Sequence, residues 1–506
     1  MEKVKQTYKL PEGWIWTTIG EISILSSGGT PSRANSNYFR GNIPWVKSGE
    51  LNYNTITDTE EKITQEALDS SSAKLIPANS LLMALYGSTV GKIARLGIEA
   101  STNQAVASII TFSNFNKEFL YYYLFHKREK LLEKRKGGAQ PNISQTILSN
   151  FIVPLPPLVE QNIIVSKIES LFSELEQAEK GLQNAKQQLQ IYRQAIMKSA
   201  FDGKLTNMNV EAESLPEGWS LSNLGNEGKL ISGQHILKNN YNLDRNGIPY
   251  FTGPSDFGVN SPNITKWTIN PKVLVKKDDI LITVKGSGLG KLNLVQEKST
   301  IGRQLMAYDF ASGSKLYMYY FLLSQSQNIQ ALGIGSAIPG IDRESILSIA
   351  CPIPPLKEQE QIVEILESRF TLIENLEKAI NKCLNDISIF KHSVLKKAFE
   401  GKLVNQDANN ESAKSLLQRI KKEKENYLTV QKVIDKLIPK KRRQMETKKT
   451  VLEILSESEE PISTQELWTN SVHDGDIESF YNEIKEIYRK LTEIKKGTQS
   501  LLYLKK

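Results

Sequence analysis

From Ile164 onward, apolar residues recur at Ile168, Leu171, Leu175, Ala178, Leu182, Ala185, Leu189, Tyr192 and Ile196, in steps alternating between four and three. Glu, Gln, Lys and Ser fill the positions between. This heptad pattern predicts a long helix with one apolar seam. The pattern returns at Ile362, Leu366, Ile373, Leu376, Ile380, Cys383, Ile387, Phe390 and Val394. Arg369 interrupts this second seam, and the adjacent Phe370 can stand in for it. Each helix follows a proline-rich stretch and stops near a glycine, Gly203 or Gly401, the residue types expected before a helix and just past its end. About 35 residues at a rise of about 1.5 Å each make a rod of roughly 50 Å. The two seams can pair antiparallel with each other, or each helix can pack only on its own globular half.

The seams belong to a larger repeat. PLPPLVEQNIIVSKIESLF (154–172) reappears 198 positions later as PIPPLKEQEQIVEILESRF (352–370). The same offset places IMKSAFDGKLT (196–206) on VLKKAFEGKLV (394–404) and GGAQPNI (137–143) on GSAIPGI (335–341). An offset of 199 sets YGSTVGK (86–92) over KGSGLGK (285–291), and LPEGW occurs at both Leu10 and Leu215. Between these landmarks the sequence diverges, most strongly in 27–51 against 232–256. One frame kept twice with different contents fits two recognition heads of one type, or a duplication that has drifted.

Within each half, SLLMAL (80–85) and DILITV (279–284) are short apolar runs followed by a Gly-Ser turn and a second apolar run, a hairpin pattern. Helical stretches follow at 116–134 and 314–332. The predicted class is mixed α/β (α+β), with two pseudo-symmetric globular domains separated by two long antiparallel coiled-coil helices, and a small, mainly helical C-terminal extension. The expected segments are 1–153 and 206–351 for the globular domains, 154–205 and 352–404 for the spacer helices, 405–445 for a basic helical linker, and 446–506 for the extension. In that extension, 446–471 reads as two helices turning at Pro461, 476–494 as a third helix, and 495–506 as a turn and strand. A small winged-helix domain and a helical appendage that packs on a partner both fit this order.

Composition narrows the function. The net charge is +8 over 506 residues, which favours a polyanionic partner such as nucleic acid. No apolar run is long enough to span a membrane, and 1–9 is too polar for a secretory leader. Two cysteines, Cys351 and Cys383, both in apolar sequence surroundings, imply a reducing, cytoplasmic setting and no disulfide framework. Four scattered histidines give no metal-site spacing. The loops at 87–92 and 286–291 look like phosphate cradles, but their glycines are one residue too close and Ile93 and Leu292 replace the Ser/Thr of a nucleotide-binding loop. They are either tight hairpin turns or points of contact with DNA phosphate. No adenine-methylation motif of the N-P-P-Y type appears, and NEIK (482–485) lacks the strand context of a nuclease site.

Taken together, the doubled LPEGW, the P-L/I-P-P-L-x-E-Q start of each long helix, the K-x-A-F-x-G-K-L end, and STNQAVASI (101–109) resemble the specificity subunit of type I restriction–modification systems over residues 10–443. ESAKSLLQRIKKEKENYL (411–428) resembles the helical tail many members carry. The resemblance implies two target-recognition domains that each read half of a split DNA sequence. It also implies an antiparallel helical spacer, two methyltransferase subunits that modify adenine, and restriction subunits with motor and nuclease activity. S-adenosylmethionine, ATP and Mg are then expected on the partner subunits and no cofactor on this chain, which is not itself an enzyme. Two other readings are a free-standing sequence-specific DNA-binding regulator and an enzyme with its chemistry in the C-terminal extension.

Residues on or beside the divergent loops and Gly-Ser turns that can donate to a phosphate or base edge are the candidate DNA contacts. These are Arg33, Lys47, Ser48, Tyr86, Ser88, Lys92 and Gln104 in the first half. In the second they are His235, Lys238, Thr252, Lys285, Ser287, Lys291 and Arg303. Pro157, Glu160, Gln161, Pro355, Glu358 and Gln359 are the candidate methyltransferase contacts, or else a signal for the start of a helix. No catalytic or metal-ligating residue is expected.

Overall fold

The computed structural model describes residues 8–135, 142–207, 214–286, 288–334, 339–407, 411–437, 449–458, 460–473, 477–496 and 499–505. The chain divides into two compact units, 1–416 and 417–506. Both globular halves and both long helices lie in the first.

Each half closes its own ends by pairing its first strand with its last. Ile15–Thr18 runs antiparallel to Ile152–Leu155, and Ser220–Asn223 to Ala350–Ile353. The main sheet of the first half has the order Ser23–Ser27, Val106–Thr111, Leu81–Ala84, Ile93–Leu96, Thr55–Ile56. Its counterpart is Gly228–Ser232, Leu305–Phe310, Ile280–Thr283, Leu292–Leu294. The extra strand of the first half thus comes from sequence outside the shared landmarks. Leu81–Ala84 and Ile280–Thr283 are buried at every position, as befits central strands covered on both faces. A smaller sheet flanks each main one. Ile43–Val46 lies between Glu61–Ile63 and Ser101–Thr102, and Ile248–Phe251 between Trp267–Thr268 and Thr300–Ile301. The helices Lys117–His126 and Lys315–Ser324 start on the side-chain caps of Asn116 and Ser314, and both break after ten residues.

The long helices are Leu158–Phe201 and Leu356–Phe399, 44 residues each, or about 66 Å. They exceed the expected length because helical geometry begins directly after Pro157 and Pro355. Cross-helix pairs fix an antiparallel arrangement, because the partner number falls as the first rises. Glu179 meets Lys391 (2.9 Å), Lys186 meets Asn381 (2.9 Å), Gln190 meets Glu377, and Arg193 meets Glu374 (3.9 Å).

The seam differs from the predicted one. Ile373, Ile380 and Val394 are buried, and Phe370 does replace Arg369. Leu376, Cys383 and Phe390 are exposed, and the half-buried positions beside them are Glu377, Leu384 and Lys391. A heptad of apolar residues therefore alternates with half-buried positions, of which Glu377 and Lys391 bridge the helices, while Leu376, Cys383 and Phe390 of the predicted seam face outward. Cys383 is accordingly solvent-exposed and not in an apolar setting; Cys351 is buried.

Each helix begins on its own half and ends on the other. Phe201 packs edge-on against Tyr317 and Phe321, whereas Phe399 packs against Phe119, Tyr123 and His126. Gly203 and Gly401 have φ of +76° and +68°. A Cβ there would come within 2.3 Å of Pro216 and 2.2 Å of Pro11, so these glycines meet both a backbone and a packing demand.

In the second unit, helices Val451–Glu457, Thr464–Asn470 and Ile477–Ile487 pack on a three-stranded antiparallel sheet of Ile462–Ser463, Gln499–Leu504 and Leu491–Lys496. Its core is Val451, Leu455, Leu467, Phe480, Leu491 and Leu502. The third helix stops at Ile487, not Ile494, because Leu491–Lys496 pairs along its whole length with the last strand. The NEIK segment lies in this helix, where Glu483 holds His473 (2.5 Å). No helix among the described residues is long and apolar enough to cross a membrane.

Candidate nucleic-acid interface

At one end of each main sheet, backbone hydrogen bonds draw several loops into a rim. In the first half, Gly29 donates to Thr102 O (2.9 Å), Asn103 to Val46 O (2.9 Å), and Leu85 to Ala105 O (2.7 Å). In the second, Gln234 donates to Ile301 O (3.0 Å), Gly302 to Phe251 O (2.8 Å), and Val284 to Gln304 O (2.9 Å). The Thr89 hydroxyl adds a bond to Ser48 O (2.7 Å). The rim therefore gathers Ser48, Tyr86, Ser88, Lys92 and Gln104, and in the other half His235, Thr252, Lys285, Lys291 and Arg303. Lys238 lies farther along, exposed in the 3-10 turn Lys238–Asn240, and Ser287 lies outside the described residues.

The Gly-Ser loops are hairpin turns. Gly87, Gly91, Gly286 and Gly290 all have positive φ, between +74° and +92°. The N–H groups of Val90, Gly91 and Lys92 donate to Gly87, Ala84 and Thr89, and those of Leu289, Gly290 and Lys291 to Gly286, Thr283 and Gly288. These amides are engaged within the turn, so a phosphate cradle built from them is not available. Exposed Lys285 and Lys291 keep their ammonium groups toward solvent, whereas Lys92 bonds Asn52 (2.8 Å).

Two other candidates are held by carboxylates that the sequence reading missed. Arg33 stacks on Phe39 and Trp45 and bonds Glu61 (2.6 Å), and Lys47 pairs with Glu60 (2.7 Å) and Glu61 (3.0 Å). The Arg33 bond holds the Glu61 carboxyl below the usual carboxylate range, with Lys47 assisting. The signal was non-local: Glu61 reaches the site because its strand pairs with Ile43–Val46, setting it opposite Trp45. In the second half, the Thr252 hydroxyl donates to Asp256 (2.7 Å), which also binds Lys266 (3.2 Å).

These paired halves have known counterparts. The sequence model of the type I restriction modification DNA specificity domain matches twice, over residues 11–184 and 216–385. The chain belongs to this family. It is 31% identical over 284 residues to a Methanocaldococcus jannaschii protein assigned as the MjaX specificity subunit, covering 53% of this chain and 66% of that one. It is 26% identical over 450 residues to the type I restriction enzyme StySPI specificity subunit of Salmonella potsdam, covering 82% of this chain and 96% of that one. The crystal structure of the HsdS subunit from Thermoanaerobacter tengcongensis matches with a TM-score of 0.57 at 25% identity, covering 78% of this chain and 99% of that one.

The repeated motifs of this specificity-family chain lock each half to its helix. The Trp14 indole donates to Glu160 (2.9 Å), and the Trp219 indole to Glu358 (3.0 Å). Gln161 accepts from the Asn116 N–H and donates to Pro156 O; Gln359 does the same with Ser314 and Pro354. Glu160, Gln161 and Gln359 are 3%, 0% and 1% exposed, and Pro157 is also buried. Their polar atoms point inward, where they build the helix start. Glu358 is engaged as well, by Thr206, Asn207 and Trp219, which leaves Pro355 as the exposed member of the six.

Proposed function

We propose that this chain is the DNA specificity subunit of a type I restriction–modification complex, in which each rim reads one half of a bipartite site. The observation that carries this is the pair of equivalent polar rims on halves joined by an antiparallel helical spacer. Between Ile168 and Ile196, the buried residues flanking the central stretch, the first helix runs about 40 Å. A B-DNA turn is about 34 Å, so two heads at that separation suit half-sites about one turn apart. Exposed lysines give sequence-independent affinity through phosphate, and polar side chains at base edges select sequence.

In this reading the chain performs recognition, and catalysis belongs to its partners in the cytoplasm. Two methyltransferase subunits bring S-adenosylmethionine, and restriction subunits bring ATP and Mg. The test is co-expression with the methyltransferase encoded beside this gene, followed by genome-wide mapping of methylated adenine. A split motif with a fixed gap of about one turn supports the reading. A continuous motif, or failure of the two proteins to form a complex, overturns it in favour of a free-standing regulator.

A further inference from the structure

Resting on that reading, we infer that Gln104 and Arg303 are paired base readers, Gln104 selecting adenine in one half-site and Arg303 selecting guanine in the other. The two residues are related by the same offset of 199 that relates the Gly-Ser loops. Each occupies the first central position of a tight turn, closed by Val106 N–H on Asn103 O (3.1 Å) or by Leu305 N–H on Gly302 O (2.9 Å).

Both turns are clamped alike. The first residue of each donates to the end of the small-sheet strand, at Val46 or Phe251, and the third accepts from Leu85 or Val284. Beneath them, Gly28 and Gly233 donate to Val106 and Leu305. A Cβ at Gly28 would lie 2.3 Å from Asn103 O, and one at Gly233 2.1 Å from Gly302 O, so only glycine lets the chain pass this close. The backbone under each reader is thereby fixed, and only the side chain remains to be ordered on binding.

What these two turns present is an exposed planar hydrogen-bonding group, whereas exposed Lys285 and Lys291 carry ammonium groups. Gln104 and Arg303 are exposed, and neither side chain makes a hydrogen bond or ion pair among the described residues. Arg33, Lys47, Lys92 and Thr252, by contrast, already hold internal partners. A glutamine amide matches the N7 acceptor and N6 donor of adenine with one bond each. A guanidinium matches the O6 and N7 acceptors of guanine. One position in a shared frame therefore carries two different bidentate readers, as two heads with different targets require.

The experiment maps methylated adenine for the chain with its methyltransferase, as wild type, Gln104→Arg, Arg303→Gln and Arg303→Lys. Wild type must give a split motif; if it does not, the functional reading fails before this inference is reached. The expected result is that Gln104→Arg exchanges A for G at one position of one half-motif only. Arg303→Gln makes the reverse exchange in the other half. A variant too weak to methylate is instead assayed as the complex on duplexes carrying single base changes. The wild-type complex should then lose about ten- to hundredfold in affinity when the assigned base is replaced, and the variant should not. An unchanged motif with uniformly weaker binding, rescued by Arg303→Lys, would make Arg303 a phosphate contact and overturn the inference. An altered preference in both halves at once would also overturn it.

Discussion

His126 shows how one position can couple the end of a spacer helix to a globular half. Its ring stacks on Phe399 (5.7 Å between centroids), and its Nδ1 is buried without a partner. Burial, with nearby Lys127, His392 and Lys130 adding to it, lowers its pKa to about 4. The folded chain thus holds the ring neutral, while the unfolded chain takes up a proton near pH 6.5. Stability is therefore lost as pH falls from about 6.5 toward 4, on the order of 2–3 kcal/mol from this group. Denaturation of His126→Phe, measured between pH 7 and 4.5, should lack that component. An unchanged pH slope would contradict the assignment.

The two copies of the Trp–Glu lock also differ at the second carboxylate oxygen. Glu358 Oε1 accepts from Thr206 and Asn207, but Glu160 Oε1 is buried without a partner, and burial raises its pKa. The repeat places Val404 where the other copy has Thr206. Glu358→Ala should cost about 2–3 kcal/mol, since it strands the Trp219 indole, and Val404→Thr should gain about 0.5–1.5 kcal/mol. Urea denaturation midpoints of the two variants test both signs.

At the scale of elements, the heptad pattern was legible but its orientation was not. A helix with apolar residues at two of every seven positions has one seam, yet only contact decides which neighbouring series completes it. Here Ile373 and Ile380 face the partner helix, whereas Leu376 and Phe390 face outward. Ile373→Ala should destabilise the isolated chain by about 2–4 kcal/mol, while Phe390→Ala should cost well under half of that. Equal losses in chemical denaturation would restore the originally predicted seam. The third helix of the C-terminal unit shows the same limit, since 488–494 carries a pattern open to helix or strand until the last strand pairs with it.

For the whole molecule, helix length sets the separation of the two heads. Inserting seven residues at the same paired level in both long helices preserves the heptad and adds about 10 Å. The gap in the methylated motif should widen by about three base pairs with both half-motifs unchanged. A motif of unchanged gap would show that the helices do not set the distance.

The sequence by itself determined the repeat, the two hairpins, the two long helices and the family, because each rests on local periodicity or on motifs kept in order. It also pointed to candidate residues on the rim, since the Gly-Ser turns and the divergent loops beside them can be found by aligning the halves. Tertiary structure alone decided which of those residues remain available. Strand pairing delivered Glu61 to Lys47 and Arg33, the helix start drew Glu160, Gln161 and Gln359 inward, and the clamped turns left Gln104 and Arg303 facing out. The physical reason is that a polar side chain is defined by its partner, and here the partners come from strands and helices far away in the chain.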